Sequence, residues 1–296
     1  MLSAPSTRRS LRACAIGAGA LLTLLTPVLT SPASAAPSTR LTGEAAAAGL
    51  QPGNATMGWH DRAAARSVPR MGARSAASDR TAAKAYTPTG VLGIDVASYQ
   101  GKVDWAGWKS KGKSFAYVKA TEGTSYVNPY FSAQYGGAAK AGLIRGAYHF
   151  ASPNGKAGYR QARYFVAHGG GWTATGGQTL PGVLDIEYNP YGSTCYGLSK
   201  KKMVAWISSF TREYKKLTGK DAVIYTTTDW WKTCTGATTV FTSTNPLWVA
   251  RYGTTSPGAL PGSWKTATFW QYTSSPIDSD RFSNTYARLK VLATVR

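Results

Sequence analysis

From residue 90 onward the chain predicts an α/β fold, an irregular (β/α) barrel of TIM-barrel type. Three observations carry that expectation. Short runs rich in β-branched and aromatic residues alternate with amphipathic stretches of helical period. Strands interleaved with helices imply right-handed β-α-β units and a parallel sheet. About eight such strands within roughly 206 residues fit a barrel near the small end of the (β/α)8 size range. Several later strands follow one another with little helix between them, which makes the barrel irregular. An open doubly wound sheet is the alternative.

Taken in order, the first strand is expected at residues 91–96 and a helix at 104–111, with Asp104 as its N-cap. A strand at 114–119, a helix at 129–141, a strand at 143–150 and a helix at 157–167 follow. Residues 182–187 form the next strand. The helix at 199–217 has the clearest pattern, since Met203, Trp206, Ile207, Phe210, Tyr214 and Leu217 make one apolar stripe suited to core packing. Strands at 222–226, 247–251 and 267–272 complete the series, and Asp229 is expected to cap a short helix. Residues 96–101 contain neither a G-x-G-x-x-G nor a Walker pattern, so nucleotide chemistry has no support. Internal repeats are not apparent.

The region upstream has a different composition. Arg8, Arg9 and Arg12 precede an apolar run at 13–29, and Ala33-Ser34-Ala35 follows. That pattern predicts an export signal over residues 1–35 and a secreted, extracellular product beginning near Ala36. The apolar run is short for a membrane span, and stable membrane insertion is not expected. Residues 36–89, rich in Ala, Arg, Ser, Gly and Thr, read as a pro-segment or flexible linker, and 90–296 as the barrel domain. Of three cysteines, Cys14 leaves with the signal. Cys195 and Cys234 are then expected to pair in an oxidising compartment, tying two loops at the barrel mouth, the alternative being two free thiols. His60, His149 and His168 show no ligand spacing relative to the cysteines, and no metal or other cofactor is expected. The formal charge of +21, falling to +18 without Arg8, Arg9 and Arg12, attracts polyanions. For an exported protein the candidates are anionic cell-wall polymers, lipid headgroups and nucleic acid. The basic residues, however, are scattered and form no dense run of the kind that marks a nucleic-acid arm, and a plain solvated basic surface is the alternative. A monomer is expected.

In a chain with 13 acidic residues their positions are informative. Glu213 and Asp221 have ordinary helix-face and turn settings. Asp95 lies late in an apolar strand, and Asp185 and Glu187 close the run Pro181-Gly182-Val183-Leu184. Side chains at i and i+2 of a strand share a face, and barrel enzymes place their chemistry at the C-terminal ends of strands. Two close carboxyls raise at least one pKa, leaving an acid beside a carboxylate, as glycoside hydrolysis requires. A D-x-E pair also occurs in plain ion-pair networks. Tyr148, Tyr225 and Trp248 are among the aromatics beside strand ends that suit either sugar stacking or core packing.

The ordered blocks Gly93-Ile94-Asp95-Val96, Phe115-Ala116-Tyr117-Val118-Lys119-Ala120-Thr121-Glu122-Gly123 and Gly146-Ala147-Tyr148-His149-Phe150 resemble those of the glycoside hydrolase family 25 lysozymes, or muramidases. So do Leu184-Asp185-Ile186-Glu187, Ile224-Tyr225-Thr226, Leu247-Trp248-Val249-Ala250 and Trp270-Gln271-Tyr272. The resemblance spans essentially all of residues 91–292. It implies a flattened barrel that cleaves the β-1,4 bond between N-acetylmuramic acid and N-acetylglucosamine in bacterial peptidoglycan. It also implies Glu187 as general acid/base, Asp185 as its partner, and Asp95 completing the cluster with an acid from Asp278-Ser279-Asp280-Arg281-Phe282. Spacing to Phe282 selects Asp278, with Asp280 as the alternative. Lys119, Glu122, Tyr148, Tyr225, Trp248 and Gln271 fall to the substrate-binding side. Retention through the substrate's acetamido group and inversion by water activated at Asp95 both remain open. The competing readings are a chitinase or endo-N-acetylglucosaminidase, and a non-catalytic wall-binding protein.

Overall fold

A computed structural model describes residues 57–58 and 87–294. The expected signal at 1–35 and nearly all of the stretch 36–86 lie outside the described residues. The barrel strands are β1 (Val91–Val96), β2 (Lys113–Glu122), β4 (Ile144–Phe150), β5 (Val183–Asp185), β6 (Val223–Thr226), β7 (Leu247–Ala250), β8 (Phe269–Thr273) and β9 (Ser279–Phe282). A two-residue strand β3 (Tyr126–Val127) hangs on the end of β2 as a hairpin. Around them lie α1 (Trp105–Ser110), α2 (Phe131–Lys140), α3 (Gly158–Phe165), α4 (Lys200–Thr218), α5 (Thr228–Thr235) and α6 (Tyr286–Thr294).

The eight strands close on themselves, β1 pairing with β2 on one side and β9 on the other. Strands β1 to β8 run parallel to their barrel neighbours, whereas β9 is antiparallel to both β8 and β1. The reason is connection length. Only residues 274–278 separate β8 from β9, and a parallel crossover needs a dozen residues or more, so the chain can only turn back as a hairpin. The anticipated irregularity has this cause, together with the absence of an α-helix between β7 and β8.

Two layers of side chains fill the fold. Inside the barrel are Phe115, Tyr117, Tyr148, Val183, Tyr225, Trp248 and Phe269, buried in one cluster. Between the strands and the helices lie Leu184, Ile186, Ile207, Phe210, Trp230, Trp231 and Trp270. Alternation along each strand separates the layers, as Val183 faces in and Leu184 out. Helix α4 follows its predicted stripe through Met203, Trp206, Ile207, Phe210 and Tyr214, but Leu217 is 45% exposed. The Ser199 hydroxyl caps its start and Gly219, at φ 76°, ends it in the left-handed region. Helix α3 packs close because residue 158 is glycine, where a Cβ would overlap the Trp206 carbonyl.

Some boundaries differ from expectation. Strand β5 stops at Asp185, so Glu187 lies just beyond it. Asp104 caps α1, accepting from the Gly107 N–H at 2.9 Å. The cap of α5 is Thr227 rather than Asp229, its hydroxyl accepting from the Trp230 N–H at 3.1 Å. Asp229 sits in the first turn, where a carboxylate favours the helix dipole, and accepts from the Tyr188 hydroxyl at 2.9 Å. Cys195 and Cys234 form a disulfide. Cys234 belongs to α5, so the bridge joins a loop to a helix instead of two loops.

Candidate active site

The strand directions decide where the acids go. Asp95 is the penultimate residue of β1, Asp185 is the last of β5, and Glu187 follows two residues later. Because β9 is antiparallel, its start lies at the same rim as the ends of the other strands, and Asp278 immediately precedes it. Four carboxylates from three segments of the chain therefore reach one rim, and each is at most 1% exposed. The i, i+2 spacing of Asp185 and Glu187 carries past the strand end, and both charges act on the buried hydroxyls of Tyr196 and Tyr225.

Gln271 organises the Asp95 side. Its amide nitrogen donates to Asp95 Oδ2 at 2.6 Å, while its oxygen accepts from the hydroxyls of Tyr225 at 2.7 Å and Tyr252 at 2.5 Å. The amide orientation is fixed by those two donors. Burial pushes the Tyr225 hydroxyl well above the usual phenol range, and the nearby Tyr252, Glu187, Asp185 and Asp95 add to it. Tyr225 is thus a proton donor in a ring of carboxylates. Tyr196, raised by burial and then by Glu187, Asp185 and Glu122, is a second.

Asp280 occupies a different level. In the sheet it stands opposite both Gly93 and Gln271, two residues further along β9 than Asp278. Burial raises its carboxyl well above the ordinary range. Lys113 opposes the shift, Asp278 adds to it, and Trp248 and Asp95 favour the charged form. Lys113 is itself lowered by burial, against the pull of Asp280. Its ammonium donates to the Gly93 carbonyl at 3.0 Å and the Ser279 hydroxyl at 3.2 Å. Asp278 immediately precedes β9, whereas Asp280 lies within the strand and shares a side-chain hydrogen bond with Asp95.

The expected substrate-binding residues divide into groups. Lys119 and Glu122 form a buried ion pair at 2.5 Å, and Tyr191 donates to the other Glu122 oxygen at 2.5 Å. Tyr148, Tyr225 and Trp248 are buried in the barrel interior, with the Tyr117 and Trp248 rings 4.8 Å apart. Their packing role is therefore evident, as the sequence allowed. An open cleft of about 670 Å³ is lined by residues that include Tyr188, Asp229, Arg251 and Tyr252. Tyr191, Tyr196 and Tyr252 were not anticipated. Tyr252 follows the expected end of β7 and could have been found by that position; Tyr196 is marked only by its neighbour Cys195.

Two residues from far upstream also reach the site. Met57 is fully buried in the cluster that holds Tyr148, Tyr225 and Trp248. The backbone N–H of Gly58 donates to Glu187 Oε1 at 2.7 Å.

Comparison with known proteins adds the lineage. Residues 94–280 match the family model described as "Glycosyl hydrolases family 25". The chain is 47% identical to lysozyme M1 of Streptomyces globisporus, over 82% of each. It is 47% identical to N,O-diacetylmuramidase of a Chalaropsis species, over 69% of this chain and 99% of that one. The structure of the lysozyme from Streptomyces coelicolor superposes with a TM-score of 0.67 at 50% identity, covering 70% of this chain and 98% of that one.

Proposed function

Because the chain belongs to glycosyl hydrolases family 25, we propose that it cleaves peptidoglycan glycan strands with Glu187 as the general acid. The chain is a glycoside hydrolase of the lysozyme type, and peptidoglycan is its substrate. The bond cut is the β-1,4 linkage from N-acetylmuramic acid to N-acetylglucosamine. One observation carries the assignment of roles: Asp185 and Glu187 are buried together at the barrel rim with Asp95 and Asp278.

Glu187 protonates the leaving glycosidic oxygen as the bond breaks, and the acid is regenerated when water is split in the second half of the reaction. Asp185 keeps a negative charge close by, stabilising the positive charge that develops on the sugar. It also orients the 2-acetamido group, whose carbonyl oxygen attacks the anomeric carbon and gives retention. Asp95, held by Gln271, and Asp278 set the field around the pair. Proton NMR of the fresh reducing ends checks the stereochemistry, since an initial α-anomer would mean inversion. The enzyme acts outside the cell as a monomer, without a nucleic-acid partner or membrane insertion. The charged start and apolar run of the leader and the disulfide support that location.

The test is Glu187→Gln. The amide keeps the shape but has no proton to transfer, and clearing of a wall suspension should fall about 10²–10⁴-fold with the fold unchanged. Retention of activity within a few-fold of wild type would place the acid elsewhere. Digestion of chitin in preference to bacterial walls would replace the muramidase reading.

A further inference from the structure

Met57 and Gly58 sit well upstream of β1, yet they occupy the centre of the catalytic rim. The fit is specific. Gly58 has φ +71°, a left-handed conformation that favours glycine. A Cβ at that position would overlap the Tyr252 hydroxyl and lie 2.9 Å from Gln271 Oε1 and 3.0 Å from the Tyr225 hydroxyl. Backbone strain and lack of space thus both exclude any larger residue. Met57 is fully buried in the apolar cluster that also holds Tyr148, Tyr225 and Trp248. The Gly58 N–H on Glu187 occupies the acid that must protonate the leaving oxygen.

We propose that the carboxylate rim is also a peptide-binding site, that its ligand is this chain's own Met57–Gly58 segment, and that the full chain is latent because this segment competes with the glycan. The proposal rests on the muramidase reading above. The match to lysozyme M1 covers 82% of the chain, more than residues 91–296 can supply, so that relative shares some of the upstream region. The match to the Chalaropsis protein, over 99% of its length, takes in 69% of this chain. A tethered ligand acts at an effective concentration on the order of millimolar. A contact of only micromolar strength would then suppress turnover by roughly 10²–10³-fold.

The experiment uses the full chain as wild type, Gly58→Val and Met57→Asp. Initial rates on soluble peptidoglycan fragments are measured over a range of concentrations. Both variants should raise kcat/KM by at least about tenfold, mainly through KM, as release of a competitor requires. A synthetic peptide of residues 51–64, added to the Gly58→Val chain, should restore inhibition competitively, and a scrambled peptide should not. Circular dichroism and thermal unfolding establish that each variant is folded, and the peptide arm needs only one folded variant. Folded variants that match wild type within twofold, or no inhibition by millimolar peptide, would overturn the proposal and leave the muramidase reading standing. No hydrolysis by any of the three chains would instead overturn the muramidase reading, and the proposal with it.

Discussion

At the scale of single residues, Gln271 determines how Asp95 is presented. Two tyrosine hydroxyls fix its oxygen, which leaves its nitrogen aimed at the carboxylate. Gln271→Leu should therefore cost about 1–3 kcal/mol of stability, since it leaves buried polar groups without their partner. It should also lower kcat more than it raises KM, which steady-state kinetics will separate. His149 is a second case. Its Nδ1 lies 2.8 Å from the Thr121 hydroxyl and its Nε2 2.9 Å from Gln161 Oε1. The Gln161 nitrogen donates to the Ser152 and Lys156 carbonyls, so its oxygen faces the imidazole and assigns the proton to Nε2. Burial lowers the His149 pKa to about 4, helped by Lys119 and opposed by the Gln161 contact. The unfolded chain then binds the extra proton first, so stability falls as pH drops from about 6.5 towards 4. His149→Gln should shrink the difference in unfolding free energy between about pH 7 and pH 4.5 by on the order of 1–3 kcal/mol, measured in urea. Asp185 and Glu187 could be read from the sequence because acids are few and the pair closes an apolar run. The bridging role of Gln271 could not, because its partners come from three other strands or loops.

Among the elements, the parallel strands were legible because each is a short apolar run followed by a helix or turn signal. Strand β9 was not. Ser279-Asp280-Arg281-Phe282 has no apolar alternation, and its buried Asp280 feels the charge of Lys113. A strand whose inward face carries an acid gives no hydrophobic signal. Strand β3 is too short to give one. The disulfide was legible from the cysteine count, but its seat on α5 depended on where that helix ends. It closes a loop with a sequence separation of 39. Replacing both cysteines by alanine should lower unfolding free energy by about 4 kcal/mol in the chain-entropy model. Activity at moderate temperature should persist, because neither sulfur belongs to the carboxylate cluster. Denaturant titration together with wall lysis checks both statements.

For the whole molecule, the dominant property is a formal charge of +21. If that surface draws the enzyme to an anionic wall, its effect is long-range and screened, with a Debye length of about 10 Å at 0.1 M salt. Lysis of intact walls should then fall as ionic strength rises, while hydrolysis of a short uncharged glycan changes much less. Parallel salt curves on the two substrates would reduce the charge to a solubility feature. The composition made this charge plain from the start; the occupation of the rim by Met57 and Gly58 had no counterpart in the sequence, since nothing in a Met-Gly pair announces a binding site.

The antiparallel closure also bears on how the molecule comes to exist. Strand β1 meets β2 early, but its other edge waits for β9, with Val91 opposite Phe282. The same late step brings the Asp278 carbonyl to the Asp95 N–H at 3.2 Å. Contacts so distant along the chain form slowly, because loop-closure entropy is lost before they reward it. A nascent chain growing from its N-terminus therefore keeps two raw sheet edges, on β1 and β8, until its final residues arrive. Premature termination before residue 279 would yield an aggregating fragment rather than a weakened enzyme. The last barrel strand to be made is thus the closing seam of the fold, and the segment that leads into it is the last to reach the rim.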